Sequence, residues 1–356
     1  MRRARGMERG RAPDEARQYA TVDITAEKTE NPVGGSILRP ARRRWRLPRT
    51  LVWVAVTPFA AWAVARLAGL ERGALTTQLM TATPYAAAAS LVPVLIAALA
   101  RNRAATAVAL AATTALGFAV VPRALASSDT ATGRPLKVLT INLLFGRADT
   151  GAVLDLVRRL QPDVLSTQEL TPGAVEELEA AGLKELLPYT YLLDEWSAGG
   201  SGLYAKYPLT PLRLFRPIGH QMPAARLDLP GGAPVEIADV HPYPPLGSQV
   251  HEWAAALDSF PATGPSGPVR ILAGDFNASL DHAAMRRVLD RGYDDAADRA
   301  GQGLIPTWPA NRGRIPPMIT IDHVLVDKRV GVKEVSVHTV PGTDHRAVFA
   351  SLTLPD

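Results

Sequence analysis

Towards its C-terminal end the chain reads Gly274-Asp275-Phe276-Asn277, then Ile321-Asp322-His323 and Thr343-Asp344-His345, with Asn142 and Gln168-Glu169 far upstream and His241 between them. Such scattered carboxylates, carboxamides and imidazoles are what cleavage of a phosphate ester requires. A hard cation must be held by oxygen ligands, a group must align the attacking water, and donors must face the oxygens over which charge spreads.

Glu169 closes an otherwise apolar run, where an unpaired carboxylate would be costly to bury. It therefore points into a polar cleft as a metal ligand, or else pairs with Arg158 or Arg159. Asn142, at the end of Leu139-Thr140-Ile141, either ligates the same ion, orients Glu169, or is a satisfied core amide. Asp275 and Asn277 follow the apolar run Ile271-Leu272-Ala273 and a glycine. A carboxylate two residues from an amide can deprotonate water while the amide holds a phosphoryl oxygen, although Gly, Asp and Asn also favour turns. His345, if held by a buried carboxylate such as Asp322, keeps one tautomer and has its charged form favoured. His241, after Ile237-Ala238-Asp239-Val240, offers a second imidazole. His220, His251, His282, His323 and His338 read as surface or core residues, and no His-x-x-x-His spacing suggests zinc.

These groups must be carried by a domain, and the texture from Lys137 onward supplies one. Short β-branched runs at 138–143, 164–169, 202–205, 235–241, 269–275, 319–326, 335–339 and 347–352 alternate with amphipathic stretches at 153–160, 249–258 and 283–290. The mixture predicts a two-sheet α/β sandwich.

The formal net charge of +5 is unevenly spread. Residues 1–50 hold 13 Lys/Arg against 6 Asp/Glu, whereas residues 124–356 hold 21 against 27. A nucleic-acid binder needs its basic footprint on the binding domain itself, so a nuclease loses ground. There is no cysteine, hence no disulfide framework, thiolate zinc site or thiol nucleophile.

The chain divides into a basic tail expected to be disordered (residues 1–50), an apolar anchor (51–122), a linker (123–136) and a catalytic domain (137–356). The anchor holds three apolar stretches, Leu51 to about Ala65, Gly73 to Ala100 and Ala104 to Val121, read as three transmembrane helices. Arg101-Asn102-Arg103 ties the second to the third as a hairpin. Arginines in short loops stay cytoplasmic, so tail and hairpin tip are expected inside and everything after Arg123 outside the plasma membrane.

Over roughly residues 135–354 the sequence resembles the endonuclease/exonuclease/phosphatase superfamily. The resemblance is carried by Thr140-Ile141-Asn142-Leu143, Gln168-Glu169, the run from Ser201 to Leu209, Val240-His241, Gly274-Asp275-Phe276-Asn277, Ile321-Asp322-His323 and Asp344-His345. It implies a four-layered α/β sandwich, two packed mixed sheets flanked by helices, and Mg²⁺, with Mn²⁺ as an alternative. Carried over, Glu169 would be the principal metal ligand with Asn142 beside it and Asp344 at or near the metal. Asp275 would orient or activate the water, Asn277 and His241 would hold the phosphate, and Asp322 would orient His345. Thr343 stands where many members have serine.

The three-span anchor with an outward domain is similar to the VanJ-type teicoplanin-resistance proteins. That similarity implies hydrolysis of a lipid-linked phosphate or pyrophosphate such as undecaprenyl pyrophosphate. The competing expectations are a membrane-tethered nuclease, a phospholipase C or sphingomyelinase-type phosphodiesterase, and an inactive module that sequesters envelope precursors.

Overall fold

The structure, a computed structural model, describes residues 47–127, 131–216 and 218–355, so the basic tail lies almost wholly outside the described residues. Five helices come first: α1 (Arg49–Ala68), α2 (Gly73–Met80), α3 (Thr83–Ala89), α4 (Leu91–Leu99) and α5 (Arg103–Val120). Of these, α1 and α5 are each long and apolar enough to cross a membrane. Large side chains such as Val54, Val64, Leu67, Leu95 and Phe118 point outward, while alanines and valines meet inside. Val52 and Val56 pack with Ala97, Ala105 and Ala109 at one end, and Ala63 with Ala112 and Leu116 at the other. Small residues at the contacts let helix backbones approach closely, as suits packing in lipid.

The second apolar stretch, expected as one span, is bent, and it makes a third span only if its two parts are taken together. It bends by 64° between α2 and the continuous run Thr83–Leu99. Pro84, early in α3, removes a backbone donor and bars a straight continuation. The hydroxyls of Thr81 and Thr83 take the carbonyls of Gln78 and Met80 that the break frees. As a result α2 turns aside and lies along the following domain. At the opposite end, Asn102 caps α5 by accepting from the Ala105 N–H (3.2 Å).

Twelve strands follow among the described residues: β1 (Pro135–Asn142), β2 (Val164–Gln168), β3 (Tyr189–Leu193), β4 (Ser201–Ala205), β5 (Leu209–Leu212), β6 (Ala224–Leu227), β7 (Val235–Val240), β8 (Val269–Asp275), β9 (Tyr293–Asp295), β10 (Asp322–Asp327), β11 (Gly331–Thr339) and β12 (Arg346–Thr353). They form two mixed six-stranded sheets, ordered β11-β12-β1-β2-β4-β3 and β5-β6-β7-β8-β10-β9. Leu136, Val138, Val164, Ile237, Ile271, Val324 and Ala350 fill the space between them. Helices Thr150–Leu160 and Pro172–Ala180 cover the first sheet, and Val250–Asp258 and Ala283–Asp290 the second. This is the expected four-layered sandwich. The strand expected to begin at Ile319 starts at Asp322, because Ile319 bridges to Trp308.

The inner face changes character along its length. Alternate residues of β1, β2, β7, β8 and β10 run from Val138, Val164, Ile237, Ile271 and Val324 to Asn142, Gln168, Asp239, Asp275 and Asp322. One end of the sandwich is therefore apolar and the other is lined by buried polar groups.

Helices and sandwich are joined by polar contacts rather than by a free linker. Arg66 from α1 and Arg123 from the turn after α5 both bind the fully buried Asp281 at 2.8 Å. Burial pushes the Asp281 carboxyl up, but the two guanidiniums outweigh it and hold it below its ordinary value. Glu71 accepts from the Ala283 N–H, and the Thr77 carbonyl lies 2.8 Å from His282 Nε2. Within the expected linker, Ser127 N–H donates to the Arg299 carbonyl (2.9 Å).

Candidate active site

The polar end of the sandwich collects all eight residues singled out in the sequence. Asn142 Nδ2 donates within its own sheet to Glu169 Oε1 (3.0 Å) and across to Asp275 Oδ2 (3.2 Å) on the facing sheet. The Phe145 N–H closes on Glu169 Oε2 (2.8 Å), so Glu169 makes no pair with Arg158, which instead binds Asp155. Asp275 Oδ1 accepts from the Asn277 N–H (2.8 Å), and the Asn277 amide donates to the Pro242 carbonyl. His345 Nδ1 sits 3.0 Å from both oxygens of Asp322, and its Nε2 lies 3.7 Å from Asp275 Oδ2 and 3.9 Å from Asp344 Oδ1. His241 Nε2 reaches within 3.9 Å of Asp275.

Backbone geometry fixes these positions. Glu169 and Asn277 both take positive φ, 55° and 47°, which non-glycine residues adopt only when surroundings demand it. Gly274 permits a close approach rather than a turn: a Cβ there would lie 2.0 Å from the Val240 carbonyl oxygen. That contact draws the ends of β7 and β8 together and sets His241 beside Asp275.

Charge is distributed unequally over the cluster. Burial pushes the Asp275 carboxyl up to about 7; His345 restrains the rise and Asp322 adds to it. A base poised near neutrality is suited to accept a proton from water. Burial alone would lower the His345 imidazole, but Asp322, Asp275 and Asp344 overcome it and hold the ring protonated up to about pH 10. Burial and two neighbouring imidazoles keep His241 neutral, well below its ordinary value.

Sequence reasoning missed the contacts of several neighbours, including those of Thr343, which it had named only as part of the last motif. His220 stacks on His241 with centroids 4.4 Å apart. Trp308 Nε1 and Arg312 donate to Asp344 Oδ2 at 3.2 and 2.5 Å, and Thr343 Oγ1 to the Asn142 carbonyl at 2.7 Å. Trp308 and Arg312 lie on a Pro- and Gly-rich loop with no periodicity to flag them. His323, read as a surface or core residue, is in the core, bonded to Asp295 and the Ala278 carbonyl.

Residues 139–345 match the Endonuclease/Exonuclease/phosphatase family. The chain belongs to that family. It is accordingly a metal-dependent phosphoester hydrolase. Similar solved structures include an endonuclease/exonuclease/phosphatase from Beutenbergia cavernae DSM 12333, 17% identical over 62% of this chain and 72% of that one, TM-score 0.47. They also include humanized D. rerio TDP2, 16% identical over 61% and 98%, TM-score 0.49. Sphingomyelinase C from Streptomyces griseocarneus is 19% identical over 61% and 99%, TM-score 0.42. No curated protein matches the chain.

The donor set of this family member fits a divalent cation. Asp344 Oδ1 is buried with no hydrogen-bond partner, and the Glu169 oxygens accept from the Asn142 amide and the Phe145 N–H, which leaves each a further lone pair. Asp275, Asp322 and His345 also offer ligand atoms within 4.8 Å of one another. That trio is already satisfied internally, since a protonated His345 is clamped by Asp322, so an added cation would meet a cation.

The His345 clamp has a consequence for metal-free protein. A folded-state pKa raised from 6.5 to about 10 contributes stability that is full below pH 6.5 and lost as pH climbs through 10. The Tm of metal-free protein is expected to fall across that window, and His345→Asn to flatten the fall. Equal slopes in both proteins by thermal unfolding would refute this reading of the clamp.

Proposed function

We propose that this protein is a membrane-anchored Mg²⁺-dependent phosphohydrolase whose active site faces the outer surface of the plasma membrane and cleaves a lipid-linked phosphate or pyrophosphate, undecaprenyl pyrophosphate being the type substrate. The observation that carries the proposal is the joint at Asp281: apolar helices long enough for a bilayer are fastened to the catalytic domain by buried ion pairs. An acidic domain repels long polyanions but needs only one headgroup neutralised by its own metal. Arg49 and the Arg101–Arg103 turn lie at the end of the helices remote from Asp281, which fits an inner tail and an outer domain. The VanJ-type resistance proteins are the subgroup this arrangement most resembles.

In this reading Glu169, Asn142 and Asp344 hold the cation, which when bound supplies Lewis-acid polarisation of the phosphoryl oxygens. Asp275 takes the proton of the attacking water. Asn277, neutral His241 and protonated His345 donate to the oxygens on which charge accumulates, and Asp322 keeps His345 aimed.

Detergent-purified protein should release phosphate from undecaprenyl pyrophosphate in mixed micelles with Mg²⁺, and Glu169→Ala should not. Mg²⁺ should also raise the Tm of the wild type and leave that of Glu169→Ala unmoved, because binding to the folded state alone stabilises it. Nicked plasmid DNA beside inert lipid would make this an anchored nuclease instead.

A further inference from the structure

Two segments touch both the active site and the anchor. The stretch after His241 accepts from Asn277 at the Pro242 carbonyl and from Gln78 of α2 at the Pro245 carbonyl. The loop from Gly303 to Thr320 reaches Asp344 through Trp308 and Arg312, and its Met318 carbonyl accepts from Tyr85 Oη of α3 at 2.7 Å. Tyr85 lies two residues beyond Thr83, whose hydroxyl accepts from Trp62 Nε1 of α1. Tyr85 lies near the start of the apolar run Thr83–Leu99, where an aromatic side chain marks the level at which a bilayer meets water, so Met318 is held near that depth.

What these segments expose suits that depth. Leu246 is 51% exposed, Ile315 52% and Met318 45%, with Arg312 and Arg314 exposed beside them. A turn closes the second segment, with the Ile315 N–H on the Arg312 carbonyl, so that Gly313 and Arg314 form its tip with Ile315 next to it, while Arg312 is held by Asp344. Apolar side chains that enter the acyl boundary beside arginines that stay among lipid phosphates are the composition of an interfacial contact.

We propose that Leu246 and the turn Arg312–Met318 are membrane-contacting lips of the active site, immersed at headgroup level in the bilayer that the anchor crosses. The occupant of this surface is an anionic phospholipid bilayer. The inference rests on the membrane placement proposed above and adds to it a route: a lipid phosphate passes between the lips to Asp344 and His345 while its chains remain in the membrane.

The absence of cysteine allows single labels on the full chain. Ile315→Cys and Leu246→Cys would carry an environment-sensitive fluorophore in nanodiscs containing anionic lipid and a headgroup-level nitroxide quencher. Leu95→Cys, 60% exposed on α4, reports the anchor, and Asp155→Cys, 79% exposed on an outer helix, reports water. Quenching at 315 and 246 is expected to exceed that at 155 by about threefold. Quenching at 95 alone would overturn the lips while leaving the anchor intact, and no quenching at 95 would overturn the membrane placement and the lips with it. Independently, Ile315→Asp with Met318→Asp should cut phosphate release from bilayer-embedded polyprenyl pyrophosphate about tenfold, with hydrolysis of a short-chain soluble pyrophosphate kept within about twofold. Equal loss on both substrates would reject the proposal.

Discussion

Asp275→Asn is expected to lower turnover about 10³-fold, the range general-base removal produces, while the protein still folds. Asparagine keeps an oxygen for the Asn277 N–H but cannot take a proton from water. Its amide then faces the Asn142 amide, a donor against a donor, at a cost of about 1–2 kcal/mol. That cost is offset by removal of a carboxylate that burial already pushes up to about 7. The two readouts therefore diverge: phosphate release collapses and Tm moves little. A variant that keeps a tenth or more of wild-type turnover, or one that fails to fold, would remove Asp275 from the role of base.

Asp281→Ala is expected to do the reverse, by striking stability first. It leaves Arg66 and Arg123, themselves nearly buried, facing each other with no counter-charge. Breaking a buried pair by deleting one partner costs about 3–5 kcal/mol. For a chain of this size that corresponds to a Tm loss of about 5 °C. The loss should be partly recovered in Asp281→Asn, which keeps an acceptor for the guanidiniums. Asp281 lies four residues beyond Asn277 in one loop, so turnover should fall as well, though by less than in Asp275→Asn. An unchanged Tm in detergent would mean that the joint does not hold the two parts together.

Part of the candidate site was legible because Asn142 and Asp275 close apolar strands and His241 directly follows one, whereas Asp322 opens β10 and Asp344 and His345 precede β12. Thr140-Ile141-Asn142, Ile271 to Asp275 and Ile237 to His241 announce both the strand and the polar group at its tip. Strands β3, β5 and β6 were not legible. Pro211 interrupts β5, Ala224 and Ala225 of β6 favour helix, and β3 is only half-buried, so none carries the full pattern. The break after Met80 was present in the sequence as Pro84 but was outweighed by an uninterrupted lack of charge. Partners of Asp281 could not be read at all. Arg66 lies 215 positions away, and a contact at that separation leaves no local trace.

The joint at Asp281 also fixes a height. A domain on a flexible leash searches a hemisphere above its anchor, whereas in the membrane placement proposed above this one would hold its reacting atoms at a single distance from the lipid surface. Collision with a lipid-borne substrate would then happen in two dimensions, and rate would follow the mole fraction of substrate among lipids rather than its concentration in bulk. Chemically equivalent phosphates carried on longer or shorter stalks would be sorted by reach before any side chain recognised them.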